Sequence, residues 1–207
     1  MKKIIFLLLL NSAIHGLIIE KYQEDTDKEL AINIINNDNR DNYFITVPKH
    51  LEPQQRIDFI INVLKMRKDY LYIAKDNGET IGMITLTKRK APSKRYAEKL
   101  KLLGDYYNNF VEMILSDPNL PEQSEHFVLR VSLIVKEDYR KKGYGKKLMS
   151  YAETFAKQDS EIQAITLDVH EDNLIALKLY ESLGYKKICH NTKIKQISYK
   201  LILNTKN

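Results

Sequence analysis

One stretch of this chain, Val131-Ser-Leu-Ile-Val-Lys-Glu-Asp-Tyr-Arg-Lys-Lys-Gly-Tyr-Gly145, constrains its fold more than any other. The apolar run from Val128 to Val135 reads as a buried strand, and the polar turn after it ends in two glycines. Beyond the turn, Leu148, Met149, Ala152, Phe155 and Ala156 recur at helical spacing. A strand, a loop and a helix N-terminus in that order make an anion site. First-turn amides lack an intrahelical acceptor and carry the positive end of the peptide dipole. Gly143 and Gly145 remove the Cβ atoms that would keep a phosphate from those amides, and Arg140, Lys141, Lys142, Lys146 and Lys147 add positive charge around it. A pyrophosphate cradle is the functional reading, and an ordinary strand-to-helix turn with a solvated basic face is the plain one.

Two nucleotide-binding patterns fail on this stretch. A dinucleotide fingerprint needs a third glycine where Leu148 stands, and a triphosphate loop needs a Gly-Lys-Ser/Thr ending that is missing here. Arg140-Lys141-Lys142-Gly143-Tyr144-Gly145 instead resembles the Arg/Gln-x-x-Gly-x-Gly/Ala acetyl-CoA loop of the GNAT superfamily of N-acetyltransferases. Downstream, Asn173-Leu-Ile-Ala176-Leu-Lys-Leu-Tyr180-Glu-Ser-Leu183-Gly184-Tyr185 resembles that family's second block, Asn-x-x-Ala-x-x-x-Tyr-x-x-x-Gly-Phe/Tyr. The block also makes local physical sense. Asn173 is a good N-cap, Ile175, Ala176, Leu179 and Leu183 share one helical stripe, and Gly184 stands where a left-handed residue ends a helix.

The resemblance implies an α+β fold: a mostly antiparallel sheet of six or seven strands, flanked by helices, with a central parallel pair that splays apart to admit the pantetheine arm of acetyl-CoA. It implies acetyl transfer from acetyl-CoA to a primary amine by direct attack, with no metal and no covalent enzyme intermediate. Backbone groups of Leu133, Ile134 and Val135 would then meet the pantetheine and the thioester carbonyl. Amides from Arg140 through Lys141, Lys142, Gly143, Tyr144 and Gly145 to Lys146 would take the pyrophosphate. Asn173 would bond the pantetheine or cap its helix. By the same resemblance Tyr180 is the general acid, and a phenol holds its proton at neutral pH. For the general base, Asp168 corresponds to a carboxylate used by ribosomal-protein alanine N-acetyltransferases, which the C-terminal third resembles; His170 is the alternative, and Glu125 and His126 follow. Tyr180 as a core aromatic, and the others as surface residues, are the plain readings. A non-catalytic acyl-CoA module and an exported interaction protein are the other functions compatible with such a fold.

The chain's bulk properties fit one domain. Its 207 residues, 43% of them hydrophobic, suffice for a single substantial core. A formal charge of +6 is spread over a lysine-rich surface without an aromatic-interleaved patch, which speaks against nucleic acid as a partner and for an amine-bearing small molecule or protein. Cys189, the single cysteine, excludes an internal disulfide and a cysteine-built metal site, and its apolar surroundings suggest a small core residue. A monomer or a homodimer is expected. At the N-terminus, Lys2 and Lys3 precede the apolar run Ile4 to Leu10 and then Asn11-Ser12-Ala13-Ile14-His15-Gly16, a pattern similar to a secretory signal over residues 1–16 and too short to span a membrane. A buried first strand with a basic start is the alternative. Export and the cytosolic supply of acetyl-CoA pull the expected location in opposite directions.

The acetyltransferase domain is then expected over residues 17–207. Leu17 to Tyr22 reads as its first strand, and Thr26-Asp27-Lys28-Glu29 as a capping box ahead of an amphipathic helix through Leu30, Ala31, Ile34 and Ile35. Pro53 opens a second helix with Ile57, Ile60, Ile61 and Leu64 inward. Asp76-Asn77-Gly78 joins strands Tyr70 to Ala74 and Thr80 to Thr87 in a hairpin. Residues 88–125 read as a helical insertion opening with a basic run, its helix facing inward through Leu100, Leu103, Tyr107, Phe110, Val111 and Ile114. Were that run to touch a substrate, acidic acceptors would be favoured. Strands at Ala164 to Val169, Tyr185 to Cys189 and Gln196 to Leu203 close the sheet, with a turn at His190-Asn191-Thr192-Lys193.

Overall fold

In the computed structural model, the structure describes residues 16–36, 51–102, 111–112, 115, 122–124, 126–192 and 195–203. The first strand, β1 (Leu17–Lys21), leads into α1 (Glu24–Asn36); α2 (Pro53–Arg67) and a 3-10 turn follow, and then β2 (Leu71–Asp76) and β3 (Glu79–Lys90). After α3 (Lys94–Lys101) come β4 (Phe127–Val135), a 3-10 turn over Glu137–Tyr139, α4 (Tyr144–Lys157), β5 (Ile162–His170), α5 (Leu174–Ser182), β6 (Lys186–Asn191) and β7 (Gln196–Ile202). The seven strands form one sheet in the order β1-β2-β3-β4-β5-β7-β6. Its pairs are antiparallel except β4 with β5, which run parallel.

The parallel pair is short. Its register runs from Phe127 opposite Ile162 to Arg130 opposite Thr166 and stops there, although β4 continues to Val135 beside β3 and β5 continues to His170 beside β7. The two central strands therefore part beyond Arg130 and Thr166, as the resemblance implied.

Helices cover both faces of the sheet. On one, Leu129, Val131 and Val135 of β4 and Ile165, Leu167 and Val169 of β5 pack with Leu148, Met149, Ala152 and Ala156 of α4 and with Tyr180. On the other, Ile134, Met83 and Ile73 pack with Ala31, Ile34 and Ile35 of α1 and Ile60, Val63 and Leu64 of α2. Strand alternation divides the residues this way. It also explains why β3, buried on both faces, reads as a continuous apolar run from Ile81 to Leu86 broken only by Gly82 and Thr85.

Punctuation residues act as expected in several places. Asn77 (φ 48°) and Gly78 (φ 81°) make the two-residue turn of the β2–β3 hairpin with both φ positive. Gly184 (φ 84°) ends α5: its N–H bonds the Glu181 carbonyl at 3.0 Å, and the Tyr185 N–H bonds that of Tyr180 at 3.0 Å, the pair of bonds that closes a helix with a left-handed residue.

Other boundaries differ from expectation. Helix α1 begins at Glu24, ahead of Thr26, because the buried Asp27 carboxylate turns back and accepts the Gln23 N–H at 2.8 Å. Strand β3 runs through Lys90, so Lys88-Arg89-Lys90 belongs to the sheet and pairs with β4. Beyond it Ser93 caps α3 by accepting the Tyr96 N–H at 3.3 Å. His190 and Asn191 lie in β6 rather than in a turn, because their pairing with β7 extends to Gln196. Cys189 sits half-buried on this outermost strand, not in the core. Val111 is buried, while Leu103, Tyr107, Phe110 and Ile114 lie outside the described residues, as do residues 1–15.

Candidate functional site

Where β4 leaves β5, its free edge borders a cavity of about 180 Å³. Leu133, Ile134 and Val135 line one side, Tyr139, Arg140, Lys141, Gly143, Gly145 and Lys146 the end, and Asn173, Ile175, Ala176, Leu179 and Tyr180 of α5 the other side. Both sequence blocks thus meet around a single cleft.

The backbone of β4 decides what the cleft is offered. The Lys136 N–H bonds the Ile81 carbonyl at 2.8 Å, so Lys136 points its peptide groups at β3. Peptide groups alternate along a strand, hence Ile134 also faces β3, whereas Leu133 and Val135 face the gap. Of the three residues expected to meet a donor through their backbone, these two present free edges there. The Val135 carbonyl accepts Arg140 Nε at 3.0 Å, which ties the loop to the strand end.

The loop is curled by two left-handed residues, Lys141 (φ 61°) and Gly143 (φ 84°). Glycine takes such a φ freely, whereas a side chain there costs about 1–2 kcal/mol. Gly143 is the residue preceding α4, and the first intrahelical bond is Lys147 N–H to its carbonyl at 3.1 Å. The amides of Tyr144, Gly145 and Lys146 therefore precede the first intrahelical donor and point out of the helix end. A Cβ on Gly143 would meet nothing within 4 Å. One on Gly145 would stand 3.0 Å from Leu179 Cδ2, so this glycine serves the approach of α4 to α5 as well as the opening of the cradle.

Aromatic rings brace the loop from behind, a feature the sequence reading missed. Tyr139 and Tyr144 meet edge to face at 5.8 Å; the Tyr139 hydroxyl donates to Glu79 and the Tyr144 hydroxyl to Asp76, carboxylates that flank the β2–β3 turn. The bond to Glu79, then burial, pushes the Tyr139 phenol up to about 12, and Asp76 likewise raises Tyr144. Lys142 Nζ lies 5.4 Å over the Tyr139 ring, and Lys147 Nζ 5.1 Å over that of Tyr144. Lys142 and Tyr144 are accordingly not among the cavity-lining residues.

On α5 the Asn173 side chain accepts the Ala176 N–H at 3.2 Å, the capping role expected of it, at the cleft mouth. Tyr180 is 7% exposed and lines the cavity. Its ring lies 6.0 Å from that of Tyr185 and 6.1 Å from that of Tyr199. Tyr199 in turn donates to Glu181 at 2.9 Å. Three rings from α5, the segment after it and β7 thus fix the phenol's place.

Asp168 does not line the cavity; its side chain projects from the opposite sheet face. Arg130 donates to its Oδ2, and Ser198, directly across on β7, donates to Oδ1 at 2.6 Å. His170 ends β5 with Nδ1 3.3 Å from the Asp172 amide and 3.4 Å from its carboxylate. Glu125 lies outside the described residues, and His126 sits just before β4, at the end of the strand away from the cleft. Among the described residues no group of three or more His, Cys, Asp or Glu side chains is placed to hold a metal ion, and no helix is long and apolar enough to cross a membrane.

Comparison with known proteins agrees with this arrangement. A family model described as the acetyltransferase (GNAT) family matches residues 32–185. An N-alpha-acetyltransferase of Saccharolobus solfataricus is 38% identical over 58 residues, 28% of this chain and 35% of that protein. The match thus spans about a third of that relative's length. Spermidine N-acetyltransferase from Vibrio cholerae, solved with CoA and spermine, superposes with a TM-score of 0.58 over 92% of this chain and 97% of its own, at 15% identity. A Salmonella typhimurium protein solved with its cofactor acetyl-CoA superposes with a TM-score of 0.54 over 92% of this chain and 96% of its own, at 13% identity. At these identities the structural likeness is one of fold.

Proposed function

Because the chain belongs to the acetyltransferase (GNAT) family, we propose that it transfers an acetyl group from acetyl-CoA to a primary amine by direct attack. The observation that carries this reading is the cleft itself, where the free β4 edge, the Lys141–Lys146 turn and Tyr180 border one cavity. Its parts suit the donor: amides at the start of α4 and lysines for the pyrophosphate, apolar Leu133, Ile175 and Leu179 for the pantetheine arm, and gap-facing peptide groups of β4 for the thioester carbonyl.

In the proposed reaction the amine nitrogen forms a bond to the thioester carbon, the C–S bond breaks, and the sulfur leaves as thiolate. Tyr180 gives the thiolate its proton. The attacking ammonium first loses a proton, which Asp168 or His170 accepts through water. Both Asp168 oxygens already accept a hydrogen bond, so its part as base rests on their remaining lone pairs.

Calorimetric titration of acetyl-CoA into the protein, followed by thiol-release assays over a panel of amines, tests this. Binding that Gly143→Asp abolishes, by setting a carboxylate where phosphate must sit, together with acceptor-dependent thiol release, is the expected result. Binding without release for any amine would leave a non-catalytic acyl-CoA module, and undiminished binding in the variant would remove the cradle.

A further inference from the structure

The sheet face turned away from the donor cleft carries charge that its own residues do not balance. Alternation along the strands puts Arg89 of β3, Arg130 of β4, Thr166 and Asp168 of β5 and Ser198 of β7 on that face. Asp168 is the carboxylate of this set, and Arg130 and Ser198 occupy its two oxygens. Arg89 Nε is buried and has no hydrogen-bond partner, and Thr166 Oγ1 is buried without one as well. Burial, and then Arg130, push the Arg89 guanidinium down to about 10, a charge held against both desolvation and a like neighbour. Arg67, at the end of α2, is shifted down by burial and by Arg130 too, so a third cation faces the same place.

Buried guanidinium donors left unpaired cost stability, and they are kept where an anion completes them. The position is informative. Arg130 and Thr166 are the last residues at which β4 and β5 pair, so the cluster stands where the strands begin to part. With the donor entering from the α4–α5 face, an amine reaches the thioester from the other one and passes this cluster.

Resting on the acetyltransferase reading above, we propose that Arg89, with Arg130 and Thr166, receives a carboxylate of the acceptor, so that the substrate amine is borne by an acidic molecule, whether a free amino acid or a peptide with an acidic side chain near its N-terminus. Polyamines, which bring only positive charge, are excluded from this face by the same arginines.

The test compares matched acceptors in the thiol-release assay: glutamate against glutamine, peptides beginning Asp or Glu against the same peptides with Asn or Gln, and spermidine. The expected result is a preference in kcat/KM of about tenfold or more for the acidic member of at least one pair, carried mainly by KM, with spermidine poor. The first pair and the peptide pairs distinguish the two sources of carboxylate. Arg89→Met should lose the preference while keeping acetyl-CoA affinity and melting no lower than the parent, since it removes an unpaired buried charge. Should that variant fail to fold, Arg89→Lys should fold and weaken the preference. Equal use of acidic and amide acceptors, or a preference for spermidine, would overturn the carboxylate site and leave the acetyltransferase reading standing. If no amine is acetylated, succinate serves as a direct probe: a rise in Tm with succinate in the parent but not in Arg89→Met supports the site, and equal behaviour sinks it.

Discussion

Gly82 of β3 lies against Ile134 of β4 so closely that a Cβ on the glycine would stand 2.3 Å from the Ile134 carbonyl oxygen. Backbone cannot step aside as a side-chain tip can. Gly82→Ala must therefore push β4 away from β3, in the part of β4 whose other edge borders the cleft. The expected loss is about 1–3 kcal/mol, the usual range for overpacking, or a fall in Tm of roughly 2–4 °C per kcal/mol for a chain of this size. Acetyl-CoA affinity should drop with it. Thermal melts beside calorimetric titration check both, and an unshifted Tm would mean that the two strands separate at little cost.

Features written in consecutive residues were legible in the sequence. The hairpin at Asn77-Gly78, the cap at Asn173 and the helix end at Gly184 each follow from local φ or a local hydrogen bond, and all three stand as read. The cleft was legible because its two halves are each a short local block. What failed was set by distant pairing. Lys88-Arg89-Lys90 has the composition of a solvated run, and only its pairing with Phe127, Val128 and Leu129 makes it strand. Asp168 looked like a free carboxylate because Arg130 and Ser198 reach it from two other strands through register alone. Thr26 looked like a cap because a capping box is common, but burying Asp27, beside Lys75, moved the helix start earlier.

Removing the Tyr180 hydroxyl separates its chemistry from its packing. The ring sits between those of Tyr185 and Tyr199, and phenylalanine preserves both contacts, so Tyr180→Phe should fold and bind acetyl-CoA as the parent does. Turnover should fall by about 10²-fold or more, the scale of one general acid. Undiminished kcat would make Tyr180 a core aromatic and nothing more.

Asp168→Asn distinguishes a base from a structural ion-pair partner. Asparagine keeps the bond from Ser198 but leaves the Arg130 guanidinium without its counter-charge, so a lower Tm follows on either role. A base adds a signature that structure alone does not. The fraction of acceptor already deprotonated rises about tenfold per pH unit below the amine's pKa, so the variant's lost activity should return as pH rises. A constant deficit across pH 7 to 9.5 would assign Asp168 to architecture and turn attention to His170.

Alkaline pH should unfold the chain through its buried tyrosines. Burial pushes Tyr151 up to about 12 and raises Tyr72 and Tyr185; burial, with the bond to Glu181, takes Tyr199 to about 12. In the unfolded chain these phenols titrate near 10. A group whose folded pKa lies above its unfolded value lends stability that is fully present below the unfolded pKa. Between about pH 10 and 12 the unfolded chain releases protons that the folded one retains, so stability falls by about 1.4 kcal/mol per pH unit for each such tyrosine. Tm should thus change little with these groups below pH 9 and drop steeply above 10, with the 295 nm phenolate signal of these residues appearing together with unfolding. Tyr151→Phe, which keeps the ring and removes the titrating group, should make that drop shallower by one proton's worth. A phenolate signal that rises fully near pH 10 while the fold persists would show these tyrosines to be open to solvent.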